Sequence, residues 1–316
     1  ELGMSQRKGF SGYLFILPAL AVILIFRFYP ILQAIRMSFF KWGMAGPLYT
    51  VGLKNFNRLL IDPKFYQSLG NTFWYVVFVV PLTIFFSIFF AQLLNQKIRG
   101  RGAYRTIYYL PVVTSIVAIS VVWKWIFNPD RGILNAIFGI FGVEGLKWLN
   151  DARGVFEIML APLNIEPSGF FAGPSIALLA LIIMAVWHNI GYCVIIALAG
   201  LQNVPEQYYE AAKIDGASSW KTFRHVTLPI ISPTIFYLII TQSIFAFNTF
   251  TPVYVMTQPP GGPLGTTKLV VFYLYEQAFK LWNLGYANAI AFVIFIIIFV
   301  MTQFQKRFIE RRVHYE

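Results

Sequence analysis

Few residues in this sequence could do chemistry, and long uncharged runs make those few conspicuous. Two such runs hold His188, Asn189 and Tyr192, then Gln242, Phe245, Asn248 and Thr249, and a third holds Thr114 and Ser115. Amides, hydroxyls and aromatic faces of this kind suit hydrogen bonding and stacking on an uncharged, hydroxylated solute. Each could instead serve an interhelical hydrogen bond or core packing. His188 could titrate or bind a metal, yet no other histidine or acidic residue shares its run. Catalysis in a membrane would need a nucleophile with a base, or paired carboxylates at one depth, and His188 alone supplies neither. Trp123 and Trp125, flanking Lys124, read more simply as interface anchors than as stacking groups. Cys193, the only cysteine, lies in an apolar run where a thiol acts as a small hydrophobe.

The most informative polar stretch is residues 203–229, NVPEQYYEAAKIDGASSWKTFRHVTLP. Pro205 suits a first helical turn, and Glu206 and Glu210 complement the positive end of a helix dipole. Gly216 should end this short helix, since glycine most readily takes the left-handed backbone. A second short helix is expected from about Ser218 to His225, leading to Leu228-Pro229. With Ala211, Ala212 and Ala217 near the bend, the pair has a shape suited to insertion in another protein's groove. A plain interfacial connector would look similar.

The elements that must position these residues are set by lipid. Of 316 residues, 58% are hydrophobic and only 12% charged, about half the share of a soluble domain. Runs of the ~20 apolar residues that cross a bilayer core occur at 13–32, 72–94, 106–123, 175–201, 228–256 and 281–304. Five contain no Lys, Arg, Asp or Glu, and the first contains only Arg27, near one end. Lipid offers no hydrogen bonds, so each should be an α-helix, giving an all-α integral membrane protein with six transmembrane helices in one domain, 1–316. Pro18, Pro81, Pro111, Pro233 and Pro252 should bend or unwind their helices locally.

The net charge of +12 could suggest nucleic acid, but its placement indicates a membrane surface. With both termini cytoplasmic, 13 of 25 basic residues fall in short inner segments: Arg7, Lys8, Lys97, Arg99, Arg101, Arg105, Lys213, Lys221, Arg224, Lys306, Arg307, Arg311 and Arg312. Arg36 and Lys41 argue weakly the other way. The first run is long enough to span and lacks a small-residue cleavage site after it, so it is expected to stay as a helix. Residues 133–141, ILNAIFGIF, are apolar but too short to cross, which suits an interfacial helix.

Within 203–229, Glu210-Ala211-Ala212, three residues, Gly216, nine residues, Val226, one residue and Leu228-Pro229 resemble the EAA loop of permeases in binding-protein-dependent ABC importers. Only Val226, where the pattern has isoleucine, departs from it. FILPALAVILIFRFYPIL at 15–32, RGRGAYRTIYYLPVV at 99–113 and WKWIFNPDRGILN at 123–135 extend the resemblance through nearly the whole chain, closest to the carbohydrate branch of maltose-type and glycerol-phosphate-type first permeases. Residues from about 153 to 172 look like an insertion.

The resemblance implies a type I ABC importer permease fold in a bacterial cytoplasmic membrane. It also implies a second permease subunit, two cytoplasmic ATPase subunits that hold ATP and Mg, and an extracytoplasmic binding protein that delivers a sugar-like substrate. The cytoplasmic loop, with Glu206, Tyr209, Glu210, Ala211, Ala212, Asp215, Gly216, Ala217, Leu228 and Pro229, would dock on the ATPase. The substrate path would use Thr114, Ser115, Asn189, Tyr192, Gln242, Phe245, Asn248 and Thr249. No G-x-x-x-x-G-K-[ST] phosphate loop occurs, so no cofactor is expected in this chain. An ion-coupled transporter would leave acidic residues at membrane depth, and the windows hold none. A strongly ionic cargo such as phosphate, amino acid or polyamine would demand charges the spans lack.

Overall fold

The computed structural model describes residues 5–43, 46–96 and 99–309, so Lys97, Arg311 and Arg312 of the basic segments lie outside it. The described residues fall into two compact units, those within 1–62 together with 274–296, and those within 63–273 together with 297–316.

In the first unit, helix α1 (5–38) is followed by a two-stranded antiparallel hairpin, β1 (Phe40–Gly43) and β2 (Gly46–Thr50), and by α2 (Lys54–Leu60). Asn55 Nδ2 donates to the Ser38 carbonyl at 2.8 Å, closing the end of α1. Tyr286 ties the returning segment by donating to Asp62 Oδ2 at 2.5 Å, while the Arg58 guanidinium lies 4.1 Å from its ring centre. A cation over an aromatic face is attracted by the ring quadrupole, so one tyrosine serves both charges.

The second unit is built on α3 (Pro63–Asn95) and α8 (Ile176–Gln202). Thr72, Tyr75, Val79, Thr83, Ser87, Ala91 and Leu94 recur at three- and four-residue steps and form the buried stripe of α3. They pack on α8, where Leu178, Leu181 and Ile182 are almost wholly buried. Phe85 and Phe89 on α3 face outward, as lipid permits. Around this pair lie α4 (Arg101–Val113), α5 (Ile116–Ile126), α6 (Ile133–Ile140) and α7 (Val155–Leu160). After α8 come α9 (Glu206–Ile214), α10 (Ser219–Ile230), α11 (Ser232–Phe247) and α12 (Thr251–Met256). Helices α13 (270–280) and α14 (Leu284–Ile309) complete the chain.

Among the described residues, four helices are long and apolar enough to cross a membrane alone: Tyr13–Ser38, Pro63–Asn95, Ile176–Gln202 and Leu284–Phe308. The expected third and fifth spans are not straight rods. The window 106–123 breaks between α4 and α5 with a 97° bend, and 228–256 breaks between α10 and α11 with a 67° bend. The count reaches six when each bent pair is one span.

The prolines account for part of this. Pro111 lies two residues before the last residue of its helix, and Pro233 and Pro252 sit in first turns, where their missing N–H is no loss. Pro18 and Pro81 unwind nothing: each lies inside an unbroken helix. Pro30 and Pro229 each follow a π-helical turn, Leu24–Phe28 and Phe223–Thr227. Such a turn bonds across five residues and widens the helix before a ring that would otherwise strike the preceding carbonyl.

The segment 153–172 is a closed excursion. Its base is laid against the start of α8 by Val155 N–H to Pro174 O (2.9 Å), Ile176 N–H to Arg153 O (3.0 Å) and Ala177 N–H to Asp151 O (3.1 Å). A Cβ on Gly154 would stand 2.1 Å from the Ala172 carbonyl oxygen, so only glycine permits this approach.

Candidate functional site

The 203–229 segment forms two short helices with a defined bend. Pro205 occupies the position before α9 rather than its first turn, and Glu206 opens the helix. At the other end Gly216 takes φ +69°, Gly216 N–H donates to Lys213 O (3.2 Å) and Ala217 N–H to Ala212 O (2.9 Å). These two bonds satisfy carbonyls that a helix end leaves open, and they fix the direction of the exit chain. Ser218 then caps α10, its hydroxyl accepting from Lys221 N–H. The expected stop near His225 does not occur, because the π turn carries α10 on to Ile230. Tyr209 and Thr227 hydroxyls lie 3.3 Å apart and tie α9 to α10.

This geometry sorts the sequence candidates. Glu206, Glu210, Ala211, Asp215 and Gly216 are exposed, Ala217, Leu228 and Pro229 half-buried, and Ala212 turned inward at 9% exposure. Tyr209 is half-buried and braces the two helices. Two residues that sequence reasoning passed over dominate the outward face: Ile214, 87% exposed, and Trp220, 66% exposed and packed on Phe223. An apolar residue in an otherwise polar short helix was the available signal. Exposed apolar side chains beside carboxylates form a surface suited to contact with another protein.

The second cluster lies among α3, α8, α11 and α12. A cavity of about 220 Å³ is lined by Tyr75, His188, Asn189, Phe245, Thr249 and Thr251, among others. That is smaller than the ~300–1,000 Å³ typical of ligand pockets, so this conformation is constricted. Asn189, Phe245 and Thr249 are thus brought together. Tyr192 faces Tyr237 instead, their hydroxyls 3.3 Å apart. Asn248 is exposed at the end of α11, its side-chain amide donating to Ile244 O at 2.8 Å. Thr114 and Ser115 are the two extended residues of the α4–α5 bend, both exposed, with Thr114 Oγ1 donating to Leu110 O at 2.8 Å. Gln242 departs from expectation: it is 1% exposed, off the cavity, and neither amide atom has a partner among the described residues. The rotation of α11 turns it inward, which an all-apolar helix does not reveal in sequence. Tyr75 and Tyr237 are the aromatic hydroxyls that sequence reasoning missed.

Residues 83–315 match the family of binding-protein-dependent transport system inner membrane components. The chain belongs to that family. This permease is 35% identical over 314 residues to the probable ABC transporter permease protein YesP of Bacillus subtilis, covering 98% of this chain and 94% of the relative. It is also 35% identical over 297 residues to the lactose transport system permease protein LacF of Rhizobium radiobacter, covering 93% and 92%. In fold, the permease matches a chain of a bacterial alginate ABC transporter crystallised with an alginate pentasaccharide-bound periplasmic protein. There the TM-score is 0.78 at 21% identity, covering 98% of this chain and 97% of that one. The family contributes a transport subunit rather than an enzyme, and the likeness in fold extends over nearly the whole permease.

Proposed function

We propose that this permease is one of two membrane subunits of an ATP-driven importer that carries a sugar or oligosaccharide across the bacterial cytoplasmic membrane. Its two compact units would act as one permease domain, 1–316, with both termini and the 203–229 segment on the cytoplasmic side. An extracytoplasmic binding protein delivers substrate, and two separate ATPase subunits hold ATP and Mg. Lipid-facing apolar residues and the placement of Lys and Arg support this orientation. Kinship with a lactose permease and the uncharged chemistry of Asn189, Phe245 and Thr249 support the cargo class.

One observation carries the reading. The segment is a rigid, outward-facing lever whose bend is closed at Gly216, whose halves are tied by Tyr209 and Thr227, and whose second half runs on toward α11. An ATPase that holds this lever differently in two states shifts the equilibrium of the helices joined to it. Glu210 places a carboxylate on the exposed face.

The test is ATPase stimulation by substrate-loaded binding protein in the reconstituted transporter. Gly216→Val forces a branched side chain into the left-handed region, at about 1–2 kcal/mol, and should uncouple hydrolysis from transport. Glu210→Lys reverses the charge on the docking face and should do the same. Fully coupled transport in both variants would remove the assignment.

A further inference from the structure

We propose that the 153–172 excursion and the first turns of α3 build a binding site for a neutral saccharide, distinct from the membrane cavity that holds Asn189 and Thr249. The inference rests on the importer reading for its orientation, which puts this site on the outer, substrate-entry side.

The cavity measures about 900 Å³, against about 220 Å³ for the membrane one, and falls within the ~300–1,000 Å³ range of ligand pockets. Its walls are fixed. On one side the excursion is bonded to the start of α8 through residues 151–155 and 174–177. On the other, Gln67 donates to Leu264 O (2.9 Å), and Asn71 to Gly265 O and Lys268 O (both 3.0 Å). A preformed wall spares a ligand the ordering cost of binding.

Aromatic plates and polar groups converge on this space. Phe170 is 48% exposed and stacks on Trp74, ring centres 5.2 Å apart, while the Trp74 indole N–H donates to Phe170 O at 3.0 Å. Phe156 meets Trp74 edge-on at 5.4 Å, and Phe73 lies against Phe170 with ring centres 5.5 Å apart. Tyr66 adds a second half-exposed ring. Rings of this kind pair with the C–H faces of a pyranose while hydrogen-bonding groups address its hydroxyls.

Arg153 supplies donors. Asp151 takes its Nε and Nη2, the latter at 2.6 Å, and the Arg153 side chain stays 60% exposed. Glu157 and Glu166 supply acceptors on the same lining. Charge decides the ligand class: one cation already paired with Asp151 faces two carboxylates, so an anionic saccharide would meet repulsion and a neutral one would not. Trp74 lines this cavity and its neighbour Tyr75 lines the membrane cavity, so one turn of α3 touches both.

The experiment is saturation-transfer NMR on the assembled transporter in nanodiscs, without binding protein, using lactose and maltotriose as neutral probes and trigalacturonate as an anionic one. The neutral probes should bind with their C–H protons saturated, and Tyr66→Ala and Arg153→Gln should each weaken binding at least fivefold. Asn189→Ala should leave it within twofold. Glu166→Gln, a change at an exposed loop residue, should weaken the neutral probes and strengthen trigalacturonate. The proposal is overturned if the neutral probes do not bind at millimolar concentration, if only Asn189→Ala abolishes binding, or if trigalacturonate binds the unaltered protein more tightly. Binding-protein-dependent uptake of the same sugars separates the two readings: uptake without outer-site binding would sink this site and leave the importer standing.

Discussion

Two glycines show how differently a single missing side chain can matter. Gly216 has open space around the position a Cβ would take, and its requirement is the backbone angle alone. Gly191 has ordinary helical angles, yet a Cβ there would lie 2.0 Å from the Tyr108 carbonyl oxygen, where α4 presses on α8. Small residues are what let membrane helices approach this closely, since lipid provides no hydrophobic drive between them. Gly191→Ala should therefore cost about 1–3 kcal/mol by overpacking and lower the unfolding temperature of the purified transporter, measured by dye-based thermal denaturation. Tyr209→Phe tests the brace between α9 and α10. Losing a hydrogen bond worth about 0.5–1.5 kcal/mol should leave folding intact and raise basal ATP hydrolysis relative to transport.

The excursion at 153–172 behaves as an element with its own lock. Hydrogen bonds from Arg153 hold the Asp151 carboxyl below the ordinary carboxylate range. A carboxylate whose folded value is depressed adds stability above its unfolded value and loses it as pH falls through the folded one. Pepsin cleavage between 156 and 171 should therefore accelerate through the acid range just below the usual aspartate titration. Asp151→Asn should flatten that dependence and leave the segment cleavable throughout. The α10 rod makes the complementary point: its π turn before Pro229 lets one helix run unbroken from Ser219 to Ile230.

At the scale of the whole molecule, the proposed importer requires the 203–229 segment to meet an ATPase subunit through its exposed face. Cysteines placed at Ile214 and Trp220 should crosslink to that subunit, whereas one at the inward-turned Ala212 should not; the reverse pattern would misplace the docking face. How much of this was legible beforehand follows from what lipid does to sequence patterns. Apolar length alone located the four helices long enough to cross a membrane, because an unpaired backbone group in hydrocarbon is too costly for anything but helix. Local backbone chemistry likewise placed the end of α9 at Gly216. Facing was hidden, since a helix apolar toward lipid and apolar toward its neighbours carries little periodic signal; hence the burial of Gln242 and the missed Tyr237. The breaks at Thr114-Ser115 and at Ile231 needed the tertiary structure too, because whether a helix can give up its bonds depends on what lies beside it. So did the walls of the outer cavity: residues near 70, 160 and 265 have no local reason to meet, and only the packing of α3 against α8 brings them together.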